Sequence, residues 1–388
     1  MSIESYKIGE IIIAGAGIAA AATALRLISL GFAPRLLSIG RPILPGVEAI
    51  PEAAFSLITE LGLDGAVARA GGRIVEGFEN AWDPCAPALR QGSWLHVERS
   101  AFASAAIDEA ISRGAARSLV ENLPSVPSRC LAAIDATGRS AAWSRPIRRH
   151  GNQVANLFEI SSPAGRGRIE RSPDGWTFRI GSTLGVVSTC GRPDTPRGAR
   201  YLGRRPAFPQ WCENPIVGSR IAVGDAAFAY DPLAGQGIRF ALASAFAAAS
   251  VIQCWKEEGD HEAASRFYLD FVGQARVRHL EFLAKLEIDL PPEALDPLPT
   301  RLAFSGCIGS AELSVDCRIV TDRAIILSDK SAVRWLGGVD LLEFAELAGE
   351  SASSVTLITH LTSAGVDARR ACAVLSWCIR RGVLKAII

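Results

Sequence analysis

Val223-Gly224-Asp225-Ala226-Ala227-Phe228-Ala229-Tyr230-Asp231-Pro232-Leu233-Ala234-Gly235-Gln236-Gly237-Ile238 brings a strand to an acid, turns through Asp-Pro and Gly-Gln-Gly, and enters an alanine-rich helix. A helix N-terminus there presents unpaired N–H groups and a positive dipole end to an electron-rich ring edge. Far upstream, Gly15-Ala16-Gly17-Ile18-Ala19-Ala20 follows the apolar run Ile11-Ile12-Ile13-Ala14 and opens another alanine-rich helix. That order reads as strand, tight turn, helix. Gly15 would make the turn, Gly17 would let backbone approach a pyrophosphate, and Ala20 would let helix and strand pack closely. By itself the upstream motif suits a nucleotide fold of any kind, or a helix start with small residues for packing.

Asp135-Ala136-Thr137-Gly138-Arg139 lies between the two segments. The order GxGxxA, DATGR, GDAxxxxDPLxGQG resembles the flavoprotein monooxygenases built like p-hydroxybenzoate hydroxylase, and more closely the branch holding the flavin-dependent tryptophan halogenases. The resemblance covers roughly residues 1–255. Val47-Glu48-Ala49-Ile50-Pro51-Glu52-Ala53-Ala54, followed by Leu61-Gly62-Leu63, is similar to that branch's stretch after the second strand. His96-Val97-Glu98-Arg99-Ser100-Ala101-Phe102 is similar to the family's arginine strand leading into a helix.

The resemblance implies a bound FAD. Gly15, Ala16, Gly17 and Ala20 would lie at its pyrophosphate, and Gly224 and Asp225 at the ribityl hydroxyls, with a plain helix N-cap as the other reading of Asp225. Pro232, Gly235, Gln236, Gly237 and Ile238 would line the flavin edge, their backbone donors stabilising negative charge at N1–C2=O. Arg99 is expected near the ribose or pyrophosphate, or else in a surface ion pair with Glu98. Glu48 takes the place of the branch's glycine-glutamate-serine stretch near the isoalloxazine and is a candidate catalytic residue; the serine of that stretch is Ala49 here. The acid that ends the second strand and grips the adenosine ribose is missing from Leu36-Leu37-Ser38-Ile39-Gly40-Arg41, which leaves Arg41, backbone or another group to hold the ribose.

Composition agrees with a soluble enzyme. The chain has 388 residues, 49% of them apolar, with a formal net charge of +1, which argues against disorder and against nucleic acid as a partner. Met1-Ser2-Ile3-Glu4-Ser5-Tyr6-Lys7 has no basic run ahead of the first apolar segment, and glycines interrupt Ile11 to Leu30, so no signal peptide, no membrane partner and a cytoplasmic location are expected. Nine cysteines show no CxxC pair and no histidine-flanked spacing, so reduced thiols and no metal are expected.

These anchors predict an α/β fold: a discontinuous Rossmann-like FAD-binding domain (1–75, 95–145 and 215–255), an antiparallel β-sheet substrate domain (76–94 and 146–214), a helix and linker (256–300) and a small C-terminal winged-helix-like domain (301–388). Gly151 to Pro209 alternates apolar and polar residues between glycines and prolines, as in Gly175-Trp176-Thr177-Phe178-Arg179-Ile180-Gly181. Glu257 to Leu286 has helical spacing, and Pro291-Pro292 and Pro297 to Pro299 mark a linker. In the tail, Cys317 to Asp329 reads as a strand pair around a turn, followed by helices over Leu341 to Ala348, Val355 to Leu361 and Ala368 to Arg381 and a closing Gly382-Val383-Leu384 strand. The tail is similar to small peptide-binding winged helices, although winged helices also bind DNA or dimerise, and a structural cap is the alternative.

No second glycine-rich strand-turn-helix follows residue 150, so electrons would arrive transiently from NAD(P)H or from a separate reductase. In the resembled family, reduced FAD and oxygen give a C4a-hydroperoxide that the protein aims at an electron-rich ring. Halogenases of the branch rely on a lysine near the start of the substrate region. The lysines here are Lys7, Lys256, Lys285, Lys330 and Lys385, none between Leu63 and Trp94, and the halogenases' GWxWxIP stretch is reduced to Gly175-Trp176-Thr177-Phe178-Arg179-Ile180. Oxygen transfer is therefore the expected reaction. His96 is the candidate general base, against an ordinary packed histidine. Trp94, Trp176 and Tyr230 are candidates for an aromatic substrate wall. The interval from Gly114 to Cys130 is short, which would leave the substrate face open.

Taken together the chain looks like the flavoprotein monooxygenases of tryptophylquinone cofactor biogenesis. That resemblance implies hydroxylation of a tryptophan within a polypeptide substrate, such as a small tryptophan-bearing oxidase subunit. The alternatives are a small-molecule aromatic hydroxylase or halogenase of a biosynthetic cluster, and a flavin-bearing assembly chaperone.

Overall fold

Ile11-Ile12-Ile13-Ala14 and Ala132-Ala133-Ile134-Asp135 are buried at every position, the pattern of strands covered on both faces. They form the centre of a parallel sheet in the computed structural model, which describes residues 9–82, 87–127, 129–172, 175–189, 193–287, 299–315, 318–328, 330–336, 339–366 and 368–387. The chain divides into two bodies: Met1–His261 with Phe271–His279, and Glu262–Asp270 with Leu280–Ile388.

The first body runs β1 (Ile11–Ala14), α1 (Ile18–Ser29), β2 (Arg35–Ser38), β3 (Val47–Pro51), α2 (Phe55–Glu60), α3 (Asp64–Arg69), β4 (Arg73–Ala81), β5 (Ala88–Glu98), α4 (Arg99–Ser112), β6 (Ala116–Leu119) and β7 (Ala132–Asp135). It continues through β8 (Ile147–Arg149), β9 (Val154–Ile160), β10 (Gly167–Ser172), β11 (Gly175–Ile180), β12 (Thr183–Ser188), β13 (Ala199–Pro206), β14 (Gln210–Cys212), β15 (Ile216–Val217), β16 (Arg220–Ala222), β17 (Phe228–Ala229) and α5 (Gly237–Lys256). A sixth helix, α6 (His261–Glu287), supplies residues to both bodies.

Two large sheets result. One has the order β15-β16-β7-β1-β2-β6, parallel from β16 to β6 with β15 antiparallel on its edge. The other has eight strands, β13-β9-β12-β11-β10-β4-β5-β3, antiparallel except where β10 pairs with β4. The alternation read over Gly151 to Pro209 becomes β9 to β13, and Trp176 and Phe178 join Ala155, Leu157 and Val187 in an apolar cluster on this sheet. β8, β14 and β17 form a small third sheet. α5 is long and apolar enough to cross a membrane, but 67% of that stretch is buried, the setting of a core helix. Its alanines and those of α1 allow close packing: Ala20, Ala21, Ala22, Ala245, Ala248 and Ala249 are fully buried.

The second body contains β18 (Arg301–Phe304), β19 (Cys307–Val315), β20 (Arg318–Ile326), β21 (Ala332–Val333), β22 (Trp335–Leu336), β23 (Val339–Asp340), α7 (Leu341–Ala348), β24 (Ala352–Ser353), α8 (Ser354–Ser363), α9 (Ala368–Arg380) and β25 (Leu384–Ala386). The three helices of the tail and its last strand lie where the spacing puts them. The strand pair expected within Cys317 to Asp329 is instead one strand, β20, which pairs along its length with β19. The polar residues Thr321-Asp322-Arg323 lie in mid-strand, which a hairpin with solvent beside it tolerates. β24-β18-β25 form a separate sheet, with β18 in the middle, and Leu302, Phe344, Leu357, Leu375 and Leu384 share one core. The expected linker falls largely on residues 288–298, outside the described residues.

Candidate functional site

The C-terminal ends of β1, β2, β7 and β16 are drawn together by backbone bonds: Gly15 N–H donates to Leu37 O (2.8 Å), Ala136 N–H to Ala14 O (2.8 Å) and Val223 N–H to Asp135 O (2.9 Å). In an open α/β sheet, ligands bind outside this edge. Gly15 has φ +134, and a Cβ on it would lie 2.2 Å from Ala136 O, so only glycine lets the first turn pass the end of β7. Gly17 caps α1 with ordinary backbone angles, and a Cβ there would meet nothing within 4 Å. The α1 N-terminus carries no side-chain cap and no acid in its first turn. It is a cradle of N–H groups with room for an anion.

The downstream motif packs onto this turn. Gly224 has φ +57, a Cβ on it would sit 2.7 Å from the Ala19 Cβ, and its N–H donates to Ser244 Oγ on α5 (2.9 Å). The Asp225 carboxylate is 28% exposed and lies 4.0 Å from Arg139 Nε. Arg139, from DATGR, donates to Phe208 O and Tyr230 O (2.7 Å each), while Gln210 Nε2 donates to Arg139 O (2.7 Å). One guanidinium thus ties three loops to one another. Burial lowers the Arg139 pKa, and the charges of Asp225 and Asp231 oppose that shift.

Asp231 is buried, which raises its carboxyl to about 6 against the opposing hydrogen bond from Leu233 N–H (2.8 Å) and the charge of Arg139. Its own N–H donates to His279 Nε2 (3.1 Å). Pro232 begins a short 3-10 turn that ends at Gly235 with φ +61, Gln236 accepts from Arg239 (3.3 Å), and α5 starts at Gly237 with no side-chain cap and no acid in its first turn. A Cβ at Gly235 or Gly237 would meet nothing within 4 Å. Ile238 is half-buried in the first turn. A second uncapped helix N-terminus therefore belongs to the same body.

The remaining expected residues are placed as follows. Glu48 accepts on one oxygen from Arg99 Nη1 (3.0 Å) and Arg205 Nη1 (2.9 Å), so Arg99 pairs with Glu48 and not with its neighbour Glu98. Glu98 instead caps α4, accepting from Ala101 N–H (2.6 Å), Ser100 Oγ (2.7 Å) and Gly46 N–H (3.1 Å). Burial raises its pKa, but these bonds outweigh burial and hold the carboxyl below its ordinary value. His96 on β5 is 2% exposed, its two ring nitrogens have no partner among the described residues, and burial with the nearby Arg73 charge lowers it to about 4. It is neutral at pH 7. Trp94 lies against Phe78 (5.6 Å between rings) and under the Arg90 guanidinium (5.9 Å). Trp176 packs in the sheet cluster with Phe178, and Tyr230 packs among Phe228, His279 and Phe240, its hydroxyl raised by burial. The three rings occupy separate clusters. Arg139 ends the Asp135-Ala136-Thr137-Gly138-Arg139 motif, whereas nothing in the sequence around Arg205 marks it.

At the C-terminal end of β2, a cleft of about 190 Å³ is lined by Ala16, Ser38, Gly40, Arg41, Ser100 and Arg117 among others. Ser38 is 3% exposed and its hydroxyl has no partner among the described residues. Nothing in the composition of β2 marks it. Among the described residues no group of three His, Cys, Asp or Glu side chains could hold a metal ion.

No protein-family profile and no curated protein matches this chain. Solved structures do. The chain is similar to the peptidyl tryptophan dihydroxylase QhpG, essential for tryptophylquinone cofactor biogenesis (TM-score 0.67, 21% identity, 97% of this chain and 99% of that one). It is similar to the flavin-dependent halogenase CmlS (TM-score 0.70, 15% identity, 97% and 96%). It is also similar to pqsL, a probable FAD-dependent monooxygenase from Pseudomonas aeruginosa (TM-score 0.58, 16% identity, 73% and 97%). The fold of this chain is therefore the fold of flavin-dependent halogenases and FAD-dependent monooxygenases.

Proposed function

We propose that this chain is an FAD-dependent monooxygenase that hydroxylates an indole or tryptophan ring, on a polypeptide substrate. The observation that carries the reading is the pair of uncapped, acid-free helix N-termini of α1 and α5 in one body. They are linked by Gly224 against Ala19 and by Arg139 across the intervening loops. The groups present fit FAD: the open space at Gly17 suits a pyrophosphate, the half-exposed Asp225 carboxylate suits ribityl hydroxyls, and the Gly235-Gln236-Gly237 turn suits a ring edge gaining negative charge. When bound and reduced, FAD would supply electrons to molecular oxygen and deliver one oxygen atom to the substrate.

The chain's own residues bind, orient and exclude water. Glu48 is held by two guanidiniums and positions strand β3 more readily than it would take a proton. His96 is neutral and buried, able to accept or donate one hydrogen bond but with no charge to contribute at pH 7. Positioning of a nucleophilic ring would then carry most of the rate. The polypeptide substrate rests on the likeness to QhpG along 97% of this chain, the second body included. The α7-β24-α8-α9-β25 order of that body supports the winged-helix reading, in which a sheet edge would accept an extended segment as an added strand.

Halogenation is the rival chemistry. Lys256 is the only lysine among the described residues of the first body, and it stands at the far end of α5, about 28 Å from Gly237 at 1.5 Å per residue. It lies over the Phe32 ring, 4.6 Å from its centre. Reduced enzyme given FAD, oxygen, bromide and a tryptophan-bearing peptide should return a product heavier by oxygen, read by mass spectrometry. Bromine in the product would overturn the assignment.

A further inference from the structure

We infer that Ser38, at the floor of the cleft beyond β2, holds the adenosine ribose of FAD in place of the carboxylate that this fold otherwise puts at the strand's end. The inference rests on the FAD reading above and extends it to a residue that no motif marks. Three observations meet there. The first is a missing acid: the cleft's lining, which includes Ala16, Ser38, Gly40, Arg41, Ser100 and Arg117, contains no Asp or Glu. The second is the backbone. Gly40 has φ +65, where an acid-bearing residue would be strained, so a carboxylate cannot simply be restored at that position without cost.

The third is Ser38 itself. Its side chain is 3% exposed and lines the cleft, yet its hydroxyl has no hydrogen-bond partner among the described residues. A buried hydroxyl without a partner costs free energy, and a ribose hydroxyl entering the cleft would satisfy it as donor or acceptor. Two other hydroxyls line the cleft: Ser100 already donates to Glu98 Oε2 at 2.7 Å, and Ser104 is exposed to water, so neither lacks a partner as the buried Ser38 hydroxyl does. Arg41 and Arg117 are exposed, so they form a positive rim that can donate to ribose oxygens or to the adjoining phosphate but cannot accept from a ribose hydroxyl. Among the described residues lining the cleft, Ser38 is thus the buried hydroxyl still without a partner, able to accept where the two guanidiniums cannot. Ser38 lines the same cleft as Ala16, which neighbours the phosphate cradle at Gly17.

The test compares FAD with FMN, which lacks the adenosine half, in binding titrations of wild type and Ser38→Ala. Ser38→Ala should weaken FAD by about five- to tenfold, the loss of one hydrogen bond to a buried partner, and leave FMN unchanged. On the unaltered protein, AMP should displace FAD better than at least one of 2′-deoxy-AMP and 3′-deoxy-AMP, and that difference should vanish in Ser38→Ala. Equal competition by AMP and both deoxy nucleotides on wild type would overturn the assignment, as would equal FAD affinity in the two proteins. Wild-type protein that takes up neither flavin removes the FAD reading and this assignment with it.

Discussion

At the residue scale, the two glycines of the first turn do different work and separate cleanly by substitution. Gly15 is demanded by the fold: its φ of +134 and the 2.2 Å approach to Ala136 O leave no space for a Cβ, so Gly15→Ala should cost more than about 3 kcal/mol of stability in denaturant melts. Gly17 has ordinary angles and open space, so Gly17→Glu should fold normally but lose FAD uptake, because its carboxylate would occupy the anion cradle. A Gly17→Glu protein that still turns yellow with FAD would place the cofactor elsewhere. Titration makes a second residue-level prediction. His96 and His279 are lowered from 6.5 to about 4 by burial, so between those values the unfolded chain binds protons that the folded one does not, and stability falls as pH drops from 6.5 toward 4. Asp231, raised from 3.8 to about 6, has the opposite sign: the folded state takes its proton first, adding stability as pH falls through that window. Two histidines outweigh one acid. Each histidine contributes about 2 kcal/mol of loss at pH 5, and His96→Gln should flatten the slope of melting temperature against pH between 5 and 7.

At the scale of elements, the site is an agreement among loops more than a property of any strand. Arg139 holds the loop before β14 through Phe208 O and the loop before α5 through Tyr230 O, and faces Asp225 across 4.0 Å. Arg139→Ala should destabilise the first body by about 3 kcal/mol, the range for hydrogen bonds from a charged group, and should weaken FAD as the 224–237 segment loosens. Arg139→Lys should restore little, since a single ammonium cannot fork to two carbonyls. If both variants bind FAD and melt as wild type does, the loops are held by packing alone. The small helices of the tail illustrate the reverse case. Asp340 caps α7 through Leu342 N–H (2.9 Å) and Ser353 caps α8 through Thr356 N–H (2.9 Å), so their starts are local decisions.

At the scale of the molecule, the division into two bodies sets the test of the polypeptide proposal. A chain ending at Thr300 retains His279, which the first body needs as the partner of the Asp231 N–H. It should keep FAD and its colour, lose affinity for a tryptophan-bearing partner polypeptide, and turn over free indoles poorly. If the shortened chain hydroxylates the polypeptide as well as the full chain does, the second body is a cap and the small-molecule reading is the better one.

The parallel sheet, the sheet over 151–209 and the helices of the tail were legible in the sequence, the first through the strand-turn-helix motifs and their family resemblance, the others through local spacing. Apolar runs, glycine turns, caps and period-two alternation act between residues near in the chain. The β20 strand was misread for the same reason: by itself the stretch suggests a strand pair around a turn, and only its pairing with β19 makes it one strand. What tertiary structure alone decided is who meets whom. Glu48 is joined by Arg99 and by Arg205, 157 residues away. Arg139 meets carbonyls 69 and 91 residues on. The three rings expected to share a wall go to three separate clusters. Ser38 becomes a candidate ligand only because packing buries its hydroxyl against a cleft with nothing to bond. Burial and long-range partnership are properties of the closed fold, and no spacing along the chain encodes them one residue at a time.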